Sequence, residues 1–570
     1  MIYNRLNIDF RYALLILFLL LFSQGCHRGH EPEERKQAQR ERLMPARMDE
    51  LDSEEISLEE FLQPIEPGTY YIGTCESVLP GDTIRKEFIF SLGEVQKKSF
   101  AATLYDVTEG QQTTTVPLPL NGAIRAHKLV ATYNGKETTM KKIRVARTAN
   151  GIHGGFIVDK RFYGFSLERF EQPEYKEFEK RYEKELYASK ILKNVKYGSA
   201  MGYWTSNVTE DANYLEIFAK GVSASAKKKK LDLLMDVYLP VNDNREARPL
   251  ILLIHGGAFY VGDKADNPIV LWCKHFAACG YVVASINYRM GFQLTKASIE
   301  RCGYSALQDA HAAVRFLLSK KEEYGIDPGY IFVAGSSAGA ITSLNLAFMR
   351  NNTRPASSRK HGTYTELGDI ETSGNTLKQD FRIRAVANMW GAVNDLALLN
   401  AAQPDIVSFH GDADQLVPYD SGIPFSDMKV KIGGLFFNTM YGSAAIHRKA
   451  QQLGYRSELH TFKGAGHAPH VDKENHPTKE FYYIQEHVTD FFYHVFVPET
   501  VSVRRVSGEP QWFRLEGEGV GQIFWKVQGG FILRTAGDRA RVVFVKGRPH
   551  SLRASVEFEN GASKVYNVDL

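Results

Sequence analysis

The chain has 570 residues, more than one hydrophobic core normally serves, so about two to four domains are expected. Apolar residues make up 44% and charged residues 24% of the chain, which is typical of globular proteins. The net charge of +4 is small for this length and gives no reason to expect a nucleic-acid partner.

The N-terminus has the pattern of an export signal. Arg5 and Arg11 accompany a short apolar run at 13–22, which is too short for a membrane span but typical of a secretory signal peptide. The run leads to Cys26 with a small residue directly before it, which resembles the lipobox of bacterial lipoproteins, although Ser23 stands where Leu is usual. We therefore expect 1–26 to be a signal peptide with lipidation at Cys26, and an exported, membrane-anchored lipoprotein facing the periplasm or cell surface. The alternative is plain cleavage nearby, with an unmodified Cys26.

The remaining four cysteines are Cys75, Cys273, Cys279 and Cys302. Export would permit some of them to form disulfides, but the sequence leaves the partners open. There is no Cys-x-x-Cys motif, so a metal or redox site has no support.

Four segments flank or lead into the central region. Residues 27–59 are charged and poor in apolar residues, which predicts a tether. Short alternating runs with turn signals predict an antiparallel barrel or sandwich over 60–172. The Glu-, Lys- and Tyr-rich segment 173–194 predicts a linking helix. Residues 498–570 predict a small C-terminal β-sandwich, for which an immunoglobulin-like arrangement is one option.

Between 195 and 497, buried strands alternate with helices. The continuous apolar runs at 250–254, 281–287 and 330–334 are typical of central parallel strands covered on both faces. An amphipathic helix is predicted over 305–320. The pattern predicts an α/β fold with a doubly wound, mostly parallel sheet.

The candidate nucleophile lies in the sequence GSSAG at 335–339. It follows a predicted strand and precedes a helical stretch, which is the context of a nucleophile elbow. The tight turn would push the hydroxyl of Ser337 outward at the carboxyl end of the sheet. A Gly/Ser motif alone is also typical of an ordinary turn, and the strand and helix around it favour the nucleophile.

A second glycine-rich motif, HGGAF, follows the strand at 250–254. Successive glycines allow backbone N–H groups to approach a ligand closely, as an oxyanion hole requires. His255 is expected to be structural and to position the loop. The candidate oxyanion donors are the N–H groups of Gly256, Gly257, Ala258 and Ala338.

These motifs, with DVYLP at 236–240, INYR at 286–289 and GIDP at 325–328, resemble the α/β-hydrolase superfamily. Within it they are similar to carboxylesterases and hormone-sensitive-lipase-like esterases, including bacterial feruloyl and acetyl esterases. The resemblance covers about 195–497. It implies a serine esterase that forms an acyl-enzyme on Ser337, uses neither a metal nor a cofactor, and acts on a small-molecule or glycan-linked ester.

The family order of serine, acid and histidine implies the other catalytic residues. The motif HGDADQLVP at 410–418 implies Asp414 as the acid, with Asp412 and Asp395 as alternatives. The Gly-x-Gly-His loop after the strand at 458–462 implies His467 as the base, with His470 as its competitor.

Two other functions stay open. A serine peptidase of the prolyl-oligopeptidase type also carries the His-Gly-x-x-Asp-x-x-Val-Pro motif, but the His-Gly-Gly loop is the esterase form. A non-catalytic binding module on a hydrolase fold would suit the flanking β regions, but silent members usually lose the serine or the histidine.

Overall fold

The computed structural model describes residues 54–56, 70–77, 85–96, 99–109, 114–125, 128–133, 136–148, 151–158, 161–206, 227–400, 404–425, 437–568 and 570. The expectations for the signal peptide, for Cys26 and for most of the tether therefore lie outside the described residues. Within the described ranges, no helix is long and apolar enough to cross a membrane. The chain divides into a β unit (Met1–Phe178, Thr500–Val556 and Val565–Leu570) and an α/β unit (Glu179–Glu499 and Glu557–Lys564).

The N-terminal part of the β unit is a closed antiparallel barrel. Its sheet has the order β1-β8-β7-β6-β4-β3-β2-β10-β9, and an additional pairing of β8 with β9 closes eight of these strands on themselves. The strands that precede the α/β unit are β1 (Glu54–Ile56), β2 (Tyr70–Ser77), β3 (Arg85–Gln96), β4 (Ser99–Asp106), β5 (Thr114–Thr115), β6 (Leu118–Arg125), β7 (Lys128–Tyr133), β8 (Lys136–Thr148), β9 (Gly151–Val158) and β10 (Arg161–Phe170).

The α/β unit is built on an eight-stranded sheet of order β11-β12-β14-β13-β15-β16-β18-β21. Its strands are β11 (Ala188–Gly202), β12 (Lys229–Val241), β13 (Arg248–Ile254), β14 (Val282–Ile286), β15 (Ile326–Ser336), β16 (Ile383–Met389), β18 (Asp405–Gly411) and β21 (Ser457–Phe462). The first two pairings are antiparallel and the other five are parallel. Three short strands, β17 (Ala392–Val393), β19 (Ser421–Gly422) and β20 (Met440–Gly442), form a separate small sheet.

Helices cover both faces of the eight-stranded sheet. They are α1 (Asn267–Ala278), α2 (Lys296–Ser319), α3 (Lys321–Tyr324), α4 (Ala338–Phe348), α5 (Ser443–Gln452) and α6 (Lys479–Tyr493). On one face, Leu252 and Val333 share a buried core with residues of α2 and α4. On the other face, Phe332 of β15 stacks on Phe492 of α6 at 4.6 Å. Alternate residues of one strand thus serve opposite layers, which explains the continuous apolar runs in the sequence.

The prediction of a linking helix over 173–194 is wrong. Residues 173–187 contain turns and irregular backbone, and β11 begins at Ala188. Tertiary contacts override helix propensity here. The ring of Tyr182 is fully buried and stacks on Phe496 at 4.5 Å. Its backbone N–H donates to Cys279 O at 2.9 Å rather than within a helix.

The strands after the α/β unit are β22 (Ser502–Arg505), β23 (Trp512–Glu516), β24 (Val520–Gln528), β25 (Gly530–Ala536), β26 (Arg539–Val545), β27 (Ser551–Phe558) and β28 (Ser563–Asn567). They form a sheet of order β22-β23-β26-β25 and a three-stranded sheet of order β24-β27-β28. The short strand β5 joins the first of these sheets, parallel to β26. Most of the C-terminal strands therefore belong to the β unit.

This arrangement corrects the expectation of two separate β domains over 60–172 and 498–570. One core cluster contains Ile89 and Tyr105 from the first segment together with Phe531 and Val543 from the second. The guanidinium of Arg541 also forms an ion pair with Glu87 at 2.6 Å. Short strands separated by turns look alike wherever they occur, so their alternation could not show that the two segments share one core.

The four described cysteines Cys75, Cys273, Cys279 and Cys302 are all buried and unpaired. They pack as small apolar side chains, and burial raises the pKa of each thiol. None of the disulfides that export would permit is present among these residues.

Candidate active site

Ser337 occupies a tight turn between a strand and a helix. β15 ends at Ser336 and α4 begins at Ala338, so Ser337 alone forms the junction. Its backbone has φ 53° and ψ −120°, a conformation that residues with a side chain rarely adopt. The glycines on either side make the turn possible, because a Cβ atom at Gly335 would lie 2.5 Å from the carbonyl carbon of Gly339. The backbone strain of this turn is therefore located at Ser337, the residue that the turn exposes.

A hydrogen-bonded chain of serine, histidine and aspartate runs through this site. Ser337 Oγ lies 3.0 Å from His467 Nε2, and His467 Nδ1 lies 2.7 Å from Asp414 Oδ2. The other carboxylate oxygen of Asp414 accepts the N–H groups of Leu416 at 2.8 Å and Val417 at 3.0 Å. The structure therefore brings together three residues separated by up to 130 positions, in reach for proton transfer.

The environment of Asp414 keeps its carboxylate ionised. Burial of the side chain, which is 0% exposed, raises the pKa of Asp414. Hydrogen bonds from His410 and His467, with the charge of His467, outweigh this effect and hold that pKa well below its usual range. An ionised carboxylate at this position orients the imidazole of His467 through its Nδ1–H.

The two alternative acids have other partners. Asp412 is exposed and accepts the backbone N–H of Gly464 at 2.6 Å. Asp395 is also exposed and accepts the N–H of Ala397 at 2.8 Å, which caps the short 3-10 turn Leu396–Leu398. Each of them fixes a local turn, and neither bonds a histidine among the described residues.

His470, the alternative candidate for the base, belongs to an aromatic cluster. The ring of His470 lies 5.4 Å from Trp272 and 4.7 Å from Trp390. Burial lowers the pKa of His470 to about 4. Trp390 also meets the ring of His467 edge-on at 6.3 Å, so the cluster supports the histidine that bonds Ser337.

Trp390 was not identified from the sequence. It follows β16 directly and has a positive φ of 46°, which is unusual for a bulky residue. A useful signal would have been its position at the carboxyl end of a buried strand, beside the strand that carries the serine.

The glycine-rich loop after β13 lies against the turn that carries Ser337. Its backbone is left-handed at three successive positions, with φ 103° at Gly257, 54° at Ala258 and 59° at Phe259. Within the described part of the chain, the N–H groups of Gly257, Ala258 and Ala338 donate to no other backbone group. These donors are therefore available to a ligand beside Ser337, as an oxyanion hole requires.

Residues of the INYR motif hold this loop in place. The Tyr288 hydroxyl donates to His255 O at 2.9 Å, and the two rings stack at 4.5 Å. Asn287 accepts the N–H of Lys264 at 2.6 Å and donates to Asp263 at 2.8 Å. The INYR motif therefore supports the glycine-rich loop. The resemblance to a family did not by itself reveal this role.

Two other features lie apart from the Ser–His–Asp chain. A cavity of about 970 Å³ is lined by His311, Arg315, Leu346, Met349 and Asn351 among others. It adjoins the C-terminal end of α4, whereas Ser337 precedes the N-terminus of that helix. The side chains of Asp472, Glu474 and His476 could share a cation, but all three are exposed, and Asp472 already accepts the backbone N–H groups of the other two.

The sheet order, the strained serine turn and the glycine-rich loop define an α/β-hydrolase domain. Residues 235–402 match the family model described as BD-FAE, an esterase family. The α/β unit thus has the α/β-hydrolase fold, and residues 235–402 within it are similar to an esterase family.

Curated relatives match only in part. Gut esterase 1 of Caenorhabditis elegans is 33% identical over 99 residues, which cover 17% of this chain and 18% of the relative. Neuroligin-like protein glit-1 of Caenorhabditis elegans is 30% identical over 137 residues, 24% of this chain and 16% of the relative. The probable isoprenylcysteine alpha-carbonyl methylesterase ICMEL1 of Oryza sativa subsp. japonica is 25% identical over 222 residues, 34% of this chain and 49% of the relative. The chain thus spans less than half of the length of each.

Among solved structures, the apo form of Thermogutta terrifontis esterase 2 is 19% identical with a TM-score of 0.34. The match covers 46% of this chain and 90% of that chain.

Proposed function

We propose that the protein is a serine esterase that hydrolyses carboxylic esters through an acyl-enzyme on Ser337. The observation that carries this proposal is the Ser337–His467–Asp414 chain, with distances of 3.0 Å and 2.7 Å and a fully buried carboxylate. An ionised, buried aspartate beside a histidine that reaches a strained serine is the arrangement that activates a hydroxyl nucleophile.

In the first half of the reaction, His467 Nε2 takes the proton of Ser337 as Oγ bonds to the ester carbonyl carbon. The carbonyl oxygen becomes an oxyanion, which the free N–H groups of the loop and of Ala338 stabilise by roughly 3 to 4 kcal/mol per donor. Collapse of this intermediate breaks the bond to the alcohol oxygen. His467 returns the proton to that oxygen, and the alcohol leaves.

In the second half, water reacts with the acyl group on Ser337. His467 accepts a proton from the water as its oxygen bonds to the acyl carbon. The bond to Ser337 Oγ then breaks, His467 protonates Oγ, and the carboxylic acid leaves. Throughout, Asp414 accepts the Nδ1–H of His467 and stabilises the imidazolium form.

The test compares the full chain with Ser337→Ala on p-nitrophenyl acetate. We expect hydrolysis by the first and loss of at least about 1,000-fold in the second. A panel of acetyl, feruloyl and longer acyl esters then identifies the preferred acyl group, for which acetyl and feruloyl esters are our proposed candidates.

Adding aminoacyl-proline amides to this panel separates the alternatives. Activity confined to aminoacyl-proline amides would show a peptidase. An inactive full chain that is folded would favour a binding module.

We also propose that the protein is exported and held at a membrane by lipid on Cys26. The support is the charged start, the short apolar run and the small residue before Cys26. In a bacterial host fed with radiolabelled palmitate, the full chain should take up label and sediment with membranes. Cys26→Ala should take up none, and equal labelling of both would disprove the anchor.

A further inference from the structure

A buried chain of polar side chains leads to the carboxylate of Asp414. His410, near the end of β18, is 0% exposed. Its Nε2 lies 3.3 Å from Asp414 Oδ2 and 3.3 Å from Val417 O, and its Nδ1 lies 2.8 Å from Ser443 Oγ. Asp414 Oδ2 is thus shared by two imidazoles, since it also accepts His467 Nδ1.

The partners of His410 determine which of its nitrogens carries hydrogen. Both oxygens beside Nε2, an ionised carboxylate and a backbone carbonyl, can only accept, so Nε2 must donate. On the other side, Asn388 Oδ1 accepts the N–H of Gly391 at 3.0 Å, which directs Asn388 Nδ2 toward Ser443 Oγ, also at 3.0 Å. Ser443 Oγ accepts that bond, and its own hydrogen is free for His410 Nδ1.

We propose that His410 is a positioning residue for the reaction, held as the Nε2–H tautomer by Ser443 and fixing the carboxylate of Asp414 toward His467. This inference rests on the proposed esterase function and extends it. His410 is too deeply buried to touch substrate, so it acts only through Asp414.

The contacts of Asp414 show what His410 adds. Oδ1 accepts two backbone N–H groups, so the plane of the carboxylate is constrained from one side. Oδ2 accepts His467, whose side chain is 17% exposed and lies on a loop. The buried Nε2–H of His410, which also bonds Val417 O, lies 3.3 Å from Oδ2 and restrains that oxygen when the imidazole of His467 moves during proton transfer. Among the described residues, the other titratable group facing His410 is Tyr419, whose ring meets it edge-on at 5.6 Å.

Two serines provide a matched pair for the experiment. Ser443 and Ser408 are both 0% exposed, and each accepts a hydrogen bond from Asn388 Nδ2 at 3.0 Å. Only Ser443 contacts His410. We expect Ser443→Ala to lower kcat on p-nitrophenyl acetate by about 10-fold and Ser408→Ala to change it less than about 2-fold.

Two substitutions at His410 test the donor itself. Gln and Met have similar lengths, but only Gln places an N–H near the position of Nε2. We expect His410→Met to lower kcat by about 10- to 100-fold with little change in KM, and His410→Gln to recover most of that loss. In His410→Met, loss of the Nε2–H donor leaves more negative charge on Asp414 facing His467. The acidic limb of the pH profile of kcat/KM should therefore move to higher pH in this variant only.

A measurement on the unmodified protein requires no activity. In protein labelled with ¹⁵N-histidine, the His410 signals, assigned by their loss in His410→Gln, should show hydrogen on Nε2 and none on Nδ1. Hydrogen on Nδ1 would overturn the proposal even if Ser443→Ala and His410→Met fail to fold. Equal kcat values and pH profiles for Ser443→Ala, His410→Met and Ser408→Ala in an active enzyme would also overturn it. An inactive parent chain with the expected tautomer would instead refute the esterase function.

Discussion

A Cβ atom at Gly256 would lie 3.3 Å from the Cβ atom of Ser337 and 2.9 Å from the backbone oxygen of Ser336. The loop after β13 and the turn after β15 are therefore in contact at this point. A side chain at Gly256 would force the backbone of one of these two segments to move. Because both segments belong to the same site, this contact couples the position of the proposed oxyanion donors to that of Ser337.

Gly256→Ala should lower kcat/KM for ester hydrolysis by about 100-fold, since a displacement of about 1 Å between donors and nucleophile has that effect. The control is Gly466→Ala, beside His467, because a Cβ atom there has nothing within 4 Å and Gly466 has no positive φ. Steady-state kinetics on p-nitrophenyl acetate compares them. Equal activities would show that the contact at Gly256 does not position the donors.

Asp414→Asn should lower kcat by about 10⁴-fold, because an amide at this position favours the wrong tautomer of His467. Asp412→Asn and Asp395→Asn should stay within about 3-fold of the parent, since each carboxylate holds only a local turn. The three variants are measured at neutral pH in parallel. A large loss of activity in Asp395→Asn, with activity retained in Asp414→Asn, would show instead that Asp395 is the acid.

The stability of the α/β unit should fall as the pH falls between about 6.5 and about 4. The pKa of His470 is about 4 in the folded protein, below the roughly 6.5 of an unperturbed histidine. The unfolded chain therefore binds a proton in this window while the folded chain does not, and stability is lost as the pH falls. At pH 5 the loss from His470 alone is about 2 kcal/mol.

The measurement is urea unfolding at pH 7 and pH 5, followed by tryptophan fluorescence. His470→Phe keeps a ring between Trp272 and Trp390 but cannot titrate, so it should reduce the difference between the two pH values. The exposed control His361→Gln should leave that difference unchanged. A difference equally large in His470→Phe would refute the assignment to this histidine.

Arg289→Met should destabilise the α/β unit by about 3 to 5 kcal/mol, because it leaves the buried carboxylate of Asp309 unpaired. The two side chains are 8% and 0% exposed, with Nη2 2.8 Å from Oδ1. Replacing both, as Arg289→Met with Asp309→Leu, should cost less than the single change. The surface pair of Arg448 and Asp420 is the control, and Arg448→Met should cost less than about 1 kcal/mol in the same urea experiment.

The sequence predicted the parts of the site that short motifs encode. The glycines around Ser337 are needed because the turn is strained, and this local requirement appears directly in the order of residues. The assignments of Asp414 and His467 came from the order in a similar family, and the structure places both within hydrogen-bonding distance of their partners.

The supporting contacts could not be predicted in this way. Asn388, His410 and Ser443 come from β16, β18 and α5, and each is an ordinary polar residue in its own segment. Their interaction depends on the spacing of neighbouring strands and on the placement of a helix, which no local pattern contains. The prediction of a linking helix was wrong for a related reason, because only the folded structure shows that Tyr182 is buried in the core.

The pairing of β5 with β26 has a consequence for biosynthesis. Val545 and its partner Thr115 are separated in the chain by the whole central portion of the α/β unit. At a translation rate of about 5 to 20 residues per second, the first half of the β unit leaves the ribosome roughly 20 to 90 seconds before its complement exists. During that interval Ile89 and Tyr105 lack the apolar partners that cover them in the finished protein. The first part of the β unit is therefore vulnerable to aggregation and dependent on chaperones in that interval, while Glu179–Glu499 of the α/β unit are being made.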